Sequence, residues 1–455
     1  MKNDTIAAIA SGLTTSGIGI IRISGDAAIS IADKVLKFHG EKSLAQAETH
    51  TINHGYVSSE EENVDEVLAV LMRAPKSYTG EDVVEIQCHG GPFVMKKILD
   101  MVVTAGARLA EPGEFTKRAF LNGKLDLSQA EAVMELIDSK SEYAARTAMS
   151  NLSGRLSEKV SAIRAKIIYD SAFLEAALDD PEHISLDGFD ERIIDTVEGA
   201  LKEIDALIKE ANEGKILREG IKTVILGRPN AGKSTLLNLL LGEERAIVTD
   251  IPGTTRDVIE ESVRIGDISL RIVDTAGLRQ TSDVVEKMGV DRALASAKDA
   301  DLIIYMFDAS HELLADEINE IKESVKAPII VLANKSDIAE NIDKTALDID
   351  EPVIVFSAKE GYGRDELEKI ICEKFYLNEI NEGGELTMVN SRQKEALSAA
   401  KRSLLNVKKA VVSGMPQDLY TVDLMDAYTE LGKIIGESVS EDLVNEIFAK
   451  FCMGK

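Results

Sequence analysis

Apolar positions along the chain fall into stretches of different period. Up to about residue 118, short β-rich runs alternate with helical spacing. "GIGIIRISG" (Gly17–Gly25), "VLAVLMRAP" and "DVVEIQCHGG" are rich in β-branched residues and bounded by glycine or proline, which predicts strands. "DAAISIADKVL" and "PFVMKKILDMVVTAG" repeat apolar residues every three or four positions, which predicts helices. From Leu121 the period is helical throughout: "LDLSQAEAVMELIDSKSEYAARTAMSNLSGRLSEKVSAIRAKIIYDSAFLEAALDD" holds a single glycine and no proline. At "IKTVILG" (Ile221–Gly227) apolar strands begin to alternate with helices, until about Leu377. After "NEGGE" the chain reads as helix to its last residues. The expected fold is multidomain: an α+β N-terminal domain (1–118), a discontinuous all-α helical domain (119–215 and 379–455), and an inserted α/β domain (216–378). The ends of the inserted domain should lie close together.

Composition narrows the function classes. The 455 residues suit two to four domains at roughly 100–200 residues each. The net charge of −27 opposes nucleic-acid binding through bulk electrostatics, leaving room for a local basic patch or a basic partner. With no tryptophan, a base-stacking platform is not expected. No apolar run approaches the ~20 residues that span a bilayer, and no secretion signal is evident. Cys88, Cys372 and Cys452 are far apart and odd in number, which points to a reducing cytoplasm. "CHGG" (Cys88–Gly91) reads as a turn after a strand, and no zinc site is expected.

"GRPNAGKS" (Gly227–Ser234) follows the apolar "TVIL" and precedes the amphipathic "TLLNLLLG". Strand, G-x-x-x-x-G-K-S and helix in that order make a P-loop, whose backbone N–H groups face phosphates at a helix N-terminus. Asn230, Ala231, Gly232, Lys233, Ser234 and Thr235 form its binding end. Lys233 reaches the β- and γ-phosphates, and Ser234 holds Mg²⁺. "DTAG" (Asp274, Thr275, Ala276, Gly277) follows "LRIV", with Asp274 on the Mg²⁺ side and Gly277 donating to the γ-phosphate. "NKSD" brings Asn334, Lys335 and Asp337 after "PIIVLA". The Asp337 carboxylate accepts both N–H donors of a guanine edge, a pattern adenine lacks, so GTP is favoured over ATP. "SAK" (Ser357, Ala358, Lys359) follows "VIVF" and closes over the base. Between P-loop and "DTAG", "TDIPGTTRD" supplies a switch loop: Thr249, Asp250, Ile251, Pro252, Gly253, Thr254 and Thr255, with Thr255 as second Mg²⁺ ligand. Each short motif is weak alone; their order, each after a strand, specifies a guanine-nucleotide-binding domain. The position where a Ras-like glutamine orients the attacking water is Leu278, which cannot do so. Another group must place the water, and another positive charge must act.

"GRPNAGKS", "GTTRD", "DTAGLR", "NKSD", the insertion topology and the terminal "CMGK" together resemble the MnmE (TrmE) family of tRNA-modifying GTPases over the whole chain. That resemblance implies a potassium ion in place of an arginine finger, held by Asn230, the carbonyls of Thr249 and Ile251, and Thr254. It implies that Glu286 orients the water; without it, Glu286 reads equally as a solvated helix charge. It implies a homodimer, a folate site at Arg22, Glu85, Lys124 and Lys455 for 5-formyltetrahydrofolate or a related tetrahydrofolate, and a heterotetramer with an FAD-containing MnmG/GidA-type partner. The implied reaction adds an aminomethyl or carboxymethylaminomethyl group to carbon 5 of the wobble uridine of certain tRNAs. Read singly, Arg22, Glu85 and Lys124 would each more often be an ordinary surface charge. Cys452 then lies near a one-carbon donor, either as a nucleophile or acid–base group, or only as part of the pocket wall.

Two other classes fit parts of the chain. A ribosome-assembly GTPase of the Era or Der type shares the G domain, but the Der type has two P-loops and the Era type ends in an RNA-binding KH domain. A membrane-associated transport GTPase finds no apolar span here.

Overall fold

The computed structural model describes residues 4–40, 43–59, 62–139, 142–242, 261–265, 268–273, 297–311, 315–325, 327–338, 350–375, 389–451 and 454. The expected switch loop, "DTAG", Leu278, Glu286, Cys452 and Lys455 lie outside them. The chain divides into two compact units, one of residues 1–134, 152–198 and 399–455, the other of residues 135–151 and 199–398.

In the first unit the strands are β1 (Ile6–Ile9), β2 (Ser16–Ser24), β3 (Leu36–Phe38), β4 (Thr51–Ser58), β5 (Asn63–Met72), β6 (Val83–Gly90) and β7 (Arg108–Leu109). They form one sheet in the order β3-β4-β5-β6-β2-β1-β7. Every pairing is antiparallel except that of β1 with β7. Helices α1 (Ala28–Val35) and α2 (Pro92–Thr104) share a core with Ile21, Ile23, Ile86, Met95 and Ile98. Side chains alternate along a strand, so Ile21 and Ile23 in this core put Arg22 on the other face of the sheet. The three expected strands and two expected helices are present. β1, β3, β4 and β7 have no counterpart in the apolar pattern, being short or interrupted by His, Asn and Gly. One local expectation is corrected. Cys88, His89 and Gly90 belong to β6 rather than to a turn, because pairing with β2 runs on to Ser16↔Gly90. The chain leaves the strand at Gly91, the N-cap of α2, with Pro92 in the first turn.

The same unit holds helices α3 (Glu114–Leu121) and α4 (Arg155–Asp179) and the C-terminal helices Ser391–Val412 (from Ala399 on), Asp418–Ile435 and Glu441–Ala449. α3 runs through position 118, the expected end of the N-terminal domain. α4 packs along Asp418–Ile435. Arg164, 5% exposed, joins them: Nε donates to Tyr428 O at 3.2 Å, Nη2 meets Glu437 Oε2 at 2.6 Å, and the guanidinium lies 4.0 Å from the Tyr428 ring centre. The last helix is capped by Ser440, whose Oγ accepts from Leu443 N. It rests on α3 and buries Phe448 and Phe451 beside Leu127 and Ala130. Gly113 makes that seat possible, since a Cβ there would lie 2.4 Å from Phe448 O.

The second unit carries β8 (Ile221–Leu226), β9 (Glu261–Ile265), β10 (Ile268–Ile272), β11 (Leu302–Asp308), β12 (Ile329–Asn334) and β13 (Val353–Val355), in the order β13-β12-β11-β8-β10-β9. All neighbours are parallel except β9 and β10. β8, β11 and β12 are buried on both faces, which explains their near-continuous apolar sequences. The α+β domain, the helical domain in separated pieces and the inserted α/β P-loop domain are all present.

Candidate functional site

The P-loop leaves the end of β8 and enters α5 (Lys233–Gly242). Gly227 has φ 139° and Gly232 φ 100°. A Cβ at Gly227 would lie 1.9 Å from Met306 O, and one at Gly232 2.1 Å from Asn334 Nδ2. Both glycines are therefore demanded by close approach as well as by backbone conformation. Lys233 Nζ donates to Gly227 O at 2.6 Å and Arg228 O at 2.8 Å, so the ammonium curls over the loop. Ser234 and Thr235 are exposed in the first turn of α5, where N–H groups and the positive end of the helix favour phosphate. Asn230 has φ 64° and is exposed, presenting an amide oxygen of the kind a monovalent cation takes.

Three of the expected segments meet through one buried side chain. Asn334 Nδ2 donates to Ala231 O at 2.7 Å, and Asn334 Oδ1 accepts from Ala358 N at 2.9 Å. It braces the P-loop to "SAK" from the end of β12. Ser357 Oγ donates to Asp337 Oδ1 at 3.0 Å and holds the carboxylate assigned to the guanine edge. Lys335 has φ 67° and its Nζ meets Asp308 Oδ2 at 2.6 Å.

Asp308, which the motifs did not reveal, is the partner of Lys335 at this edge. It ends β11 in register with Asn334, at the carboxyl edge of the parallel strands where ligands bind in such sheets. Burial pushes its carboxyl up, but hydrogen bonds from Lys335 and Ser310 and the Lys335 charge outweigh that and hold it at about 2. A carboxylate lowered from 3.8 contributes stability that is full above that value and is lost as pH falls through about 2. The Lys335 tether is thus constant across neutral pH. Asp308→Asn removes its charge, and GTP affinity is expected to fall about 5- to 10-fold. Titration calorimetry of both proteins measures this, and an unchanged affinity would separate Asp308 from the site.

The MnmE helical domain matches residues 127–452, and the N-terminal region described as GTP-binding protein TrmE matches residues 5–124. The tRNA modification GTPase MnmE of Lachnoclostridium phytofermentans is 52% identical, covering all of both chains. The chain belongs to the MnmE family. It is 46% identical to the MnmE of Acetivibrio thermocellus over all of both chains, and 44% identical to that of Bacillus pumilus over 99% of this chain and all of the relative. The P-loop fold and this membership make the chain a GTPase of the tRNA modification class.

The remaining MnmE-type expectation concerns the N-terminal sheet. Arg22 and Glu85 are register partners across β2 and β6, and Arg22 Nε donates to Glu85 Oε1 at 2.8 Å. Both are mostly buried, at 14% and 16% side-chain exposure. The guanidinium lies 5.3 Å from the centre of the Tyr78 ring and 5.6 Å from that of Phe115. Arg22 Nη1 also donates to Gly454 O at 3.2 Å, which brings Gly454 to this face. Lys124 does not join the pair; its Nζ donates to Pro75 O at 3.2 Å, on the loop that carries Tyr78. That loop is pinned by Tyr78 Oη with Thr116 Oγ1 at 2.8 Å, Asn122 Nδ2 to Thr79 O at 2.8 Å, and Arg118 with Glu81 at 3.1 Å. A cationic fork beside a carboxylate and an aromatic ring fits a ligand with an anionic group, a donor edge and a flat face.

Cys88 is buried, and burial with the nearby Asp65 charge pushes its thiol up to about 11. His89 Nδ1 lies 2.6 Å from Asp65 Oδ1, and that hydrogen bond and charge raise the imidazole above its ordinary value. These two residues serve the sheet and its Asp65 partner. Among the described residues no helix is long and apolar enough to cross a membrane.

Proposed function

We propose that this chain is a cytoplasmic, potassium-activated GTPase. With an FAD-containing MnmG/GidA-type partner it adds an aminomethyl or carboxymethylaminomethyl group to carbon 5 of the wobble uridine of certain tRNAs, using a tetrahydrofolate one-carbon donor. It acts as a homodimer and, with that partner, as a heterotetramer. The observation that carries this reading is that one chain holds both a braced P-loop nucleotide site and an Arg22–Glu85 pair, beside Tyr78 and Phe115, that is reached by Gly454. The domain limits keep the sequence reading: 1–118, 119–215 with 379–455, and 216–378.

In this reading Gly227 and Gly232 shape the phosphate cradle, Lys233 neutralises the β- and γ-oxygens, and Ser234 with Thr255 holds Mg²⁺. Asn230, with Thr249, Ile251 and Thr254, holds K⁺, and Glu286 orients the attacking water. The two cations, when bound, supply the positive charge that the leaving phosphate oxygens need. Asp337, fixed by Ser357, selects guanine. On the N-terminal sheet Arg22, Glu85, Lys124 and Lys455 hold the folate, next to Cys452. The acidic chain leaves most tRNA contacts to the partner.

GTP hydrolysis is expected to run at least about 10-fold faster in KCl than in NaCl, and Asn230→Ala is expected to abolish the difference. Equal wild-type rates in the two salts would remove the potassium assignment. Wobble-uridine analysis of tRNA from a deletion strain tests the reaction itself, since normal nucleosides there would exclude it.

A further inference from the structure

The chain as a whole carries 79 acidic side chains against 52 Lys and Arg. From Ala399 to Val412 that balance is reversed: "AAKRSLLNVKKAVV" holds Lys401, Arg402, Lys408 and Lys409 and no acid. The two basic pairs are seven residues apart on the helix Ser391–Val412, which is two turns, so they share one side of it about 10 Å apart. Ala400, Leu404 and Val407 are fully buried and turn the apolar stripe of the helix inward. The inner member of each pair is half-buried and engaged: Lys408 Nζ meets Glu198 Oε1 at 2.7 Å, and Lys401 also has a partner. The outer members, Arg402 and Lys409, are exposed, and their side chains make no hydrogen bond or ion pair among the described residues.

Asn406 and Ser413 are exposed on the same line, so Arg402, Asn406, Lys409 and Ser413 step along the helix by four, three and four residues. Ser413 N donates to Lys409 O at 3.0 Å, which carries the helical spacing one residue past Val412. Every side chain in this row donates hydrogen bonds, and two of them are cationic. Arg, Lys, Ser and Asn are the donors that contact phosphate and sugar in nucleic-acid complexes. The helix's own field explains one member, since Lys409 in the last turn complements the negative carboxyl end. Arg402 lies two turns earlier, beyond the reach of that effect. Asp423 touches the row, accepting from Asn406 Nδ2 at 3.3 Å, and leaves both outer cations unpaired.

We propose that this row is a contact for the phosphate backbone of the substrate tRNA. It rests on the tRNA reading above and adds where this acidic chain meets the RNA. Exposed charges are screened beyond about 8 Å at physiological salt, so a local strip can hold phosphate on a chain of net charge −27. Backbone contacts position an RNA without reading its bases, which suits a surface that meets several tRNAs. Leu405 and Val412 are exposed beside the row. The cores of protein–protein interfaces are nevertheless depleted in lysine and serine, so the composition of the row favours RNA.

The test uses the full-length protein, a tRNA transcript with uridine at the wobble position, and fluorescence anisotropy over a series of KCl concentrations. Arg402→Gln combined with Lys409→Gln should bind the transcript about 10-fold more weakly at low salt. The slope of log affinity against log salt should fall by about 1 to 2. Leu405→Ser combined with Val412→Ser should change neither. Thermal melting and GTP hydrolysis should match the wild type in both variants, because the side chains are exposed and the nucleotide site lies in the other unit. Unchanged affinity and salt slope in the charge variant overturn the proposal and leave the tRNA reading standing, as does a wild type that binds no transcript. Loss of flavin-partner binding in the charge variant, with tRNA binding intact, makes the row a protein-docking face and overturns the proposal as well. Normal wobble nucleosides in the deletion strain would remove the tRNA reading itself, and the proposal with it.

Discussion

Asn334→Ala is expected to weaken GTP and GDP binding by about 100-fold, or about 2.7 kcal/mol. The residue is 3% exposed, and its amide spends both ends on other segments, the Ala231 carbonyl and the Ala358 amide. Truncation leaves both of those buried groups without their partner, each loss costing about 1–3 kcal/mol. It also frees Gly232, whose backbone lies directly against the Asn334 amide. The phosphate cradle and the base-closing segment would then be fixed independently, and part of the binding energy would be spent bringing them into line. Asn334→Asp is the informative companion: its carboxylate still accepts from Ala358 N but faces the Ala231 carbonyl with no donor, so it should be no better than alanine. Calorimetry with GDP and a non-hydrolysable GTP analogue measures both variants. Binding within twofold of wild type would show that the brace is incidental.

The second large effect is expected from Arg22→Met, which keeps an unbranched stem while removing the charge that lies near the Tyr78 and Phe115 rings. Binding of 5-formyltetrahydrofolate should fall by at least about 100-fold, because charge-assisted hydrogen bonds to an anionic ligand are lost and Glu85 is left mostly buried without its partner. Arg22→Lys should recover only part of this, since an ammonium is a point charge and cannot serve Glu85, Gly454 and a ligand at once. A purely structural role for Arg22 predicts a different result: Met and Lys variants would lose thermal stability in proportion but bind the ligand with wild-type affinity.

The sequence made the G domain legible because its signals are local. A P-loop needs only a strand, eight residues and a helix, and "NKSD" and "SAK" each follow a strand that is apolar on its own account. What joins them is not local. Asp308 stands as an unremarkable acid after an apolar run, and its role appears only when β11 and β12 lie side by side and place it opposite Asn334. The N-terminal site shows the same limit more strongly. Arg22 and Glu85 are 63 positions apart and become neighbours only through the β2–β6 register. Lys124 matched the family pattern as well as they did, yet it bonds the loop at Pro75 and not the pair, a distinction no spacing in the chain encodes. β1 and β4 were missed because alanines in one and His, Asn and Gly in the other hide the alternation that a half-buried strand shows.

The contact between Arg22 and Gly454 spans 432 positions, and this has a consequence for how the protein is made. At about 5–20 residues per second, the ribosome reaches Gly454 roughly 20–90 s after Arg22 is synthesised. The N-terminal sheet has all its strands long before that, and is free to pair them within its own first segment. The Arg22 guanidinium goes without its Gly454 acceptor for that whole interval, so the sheet that forms first differs from the final one at this position.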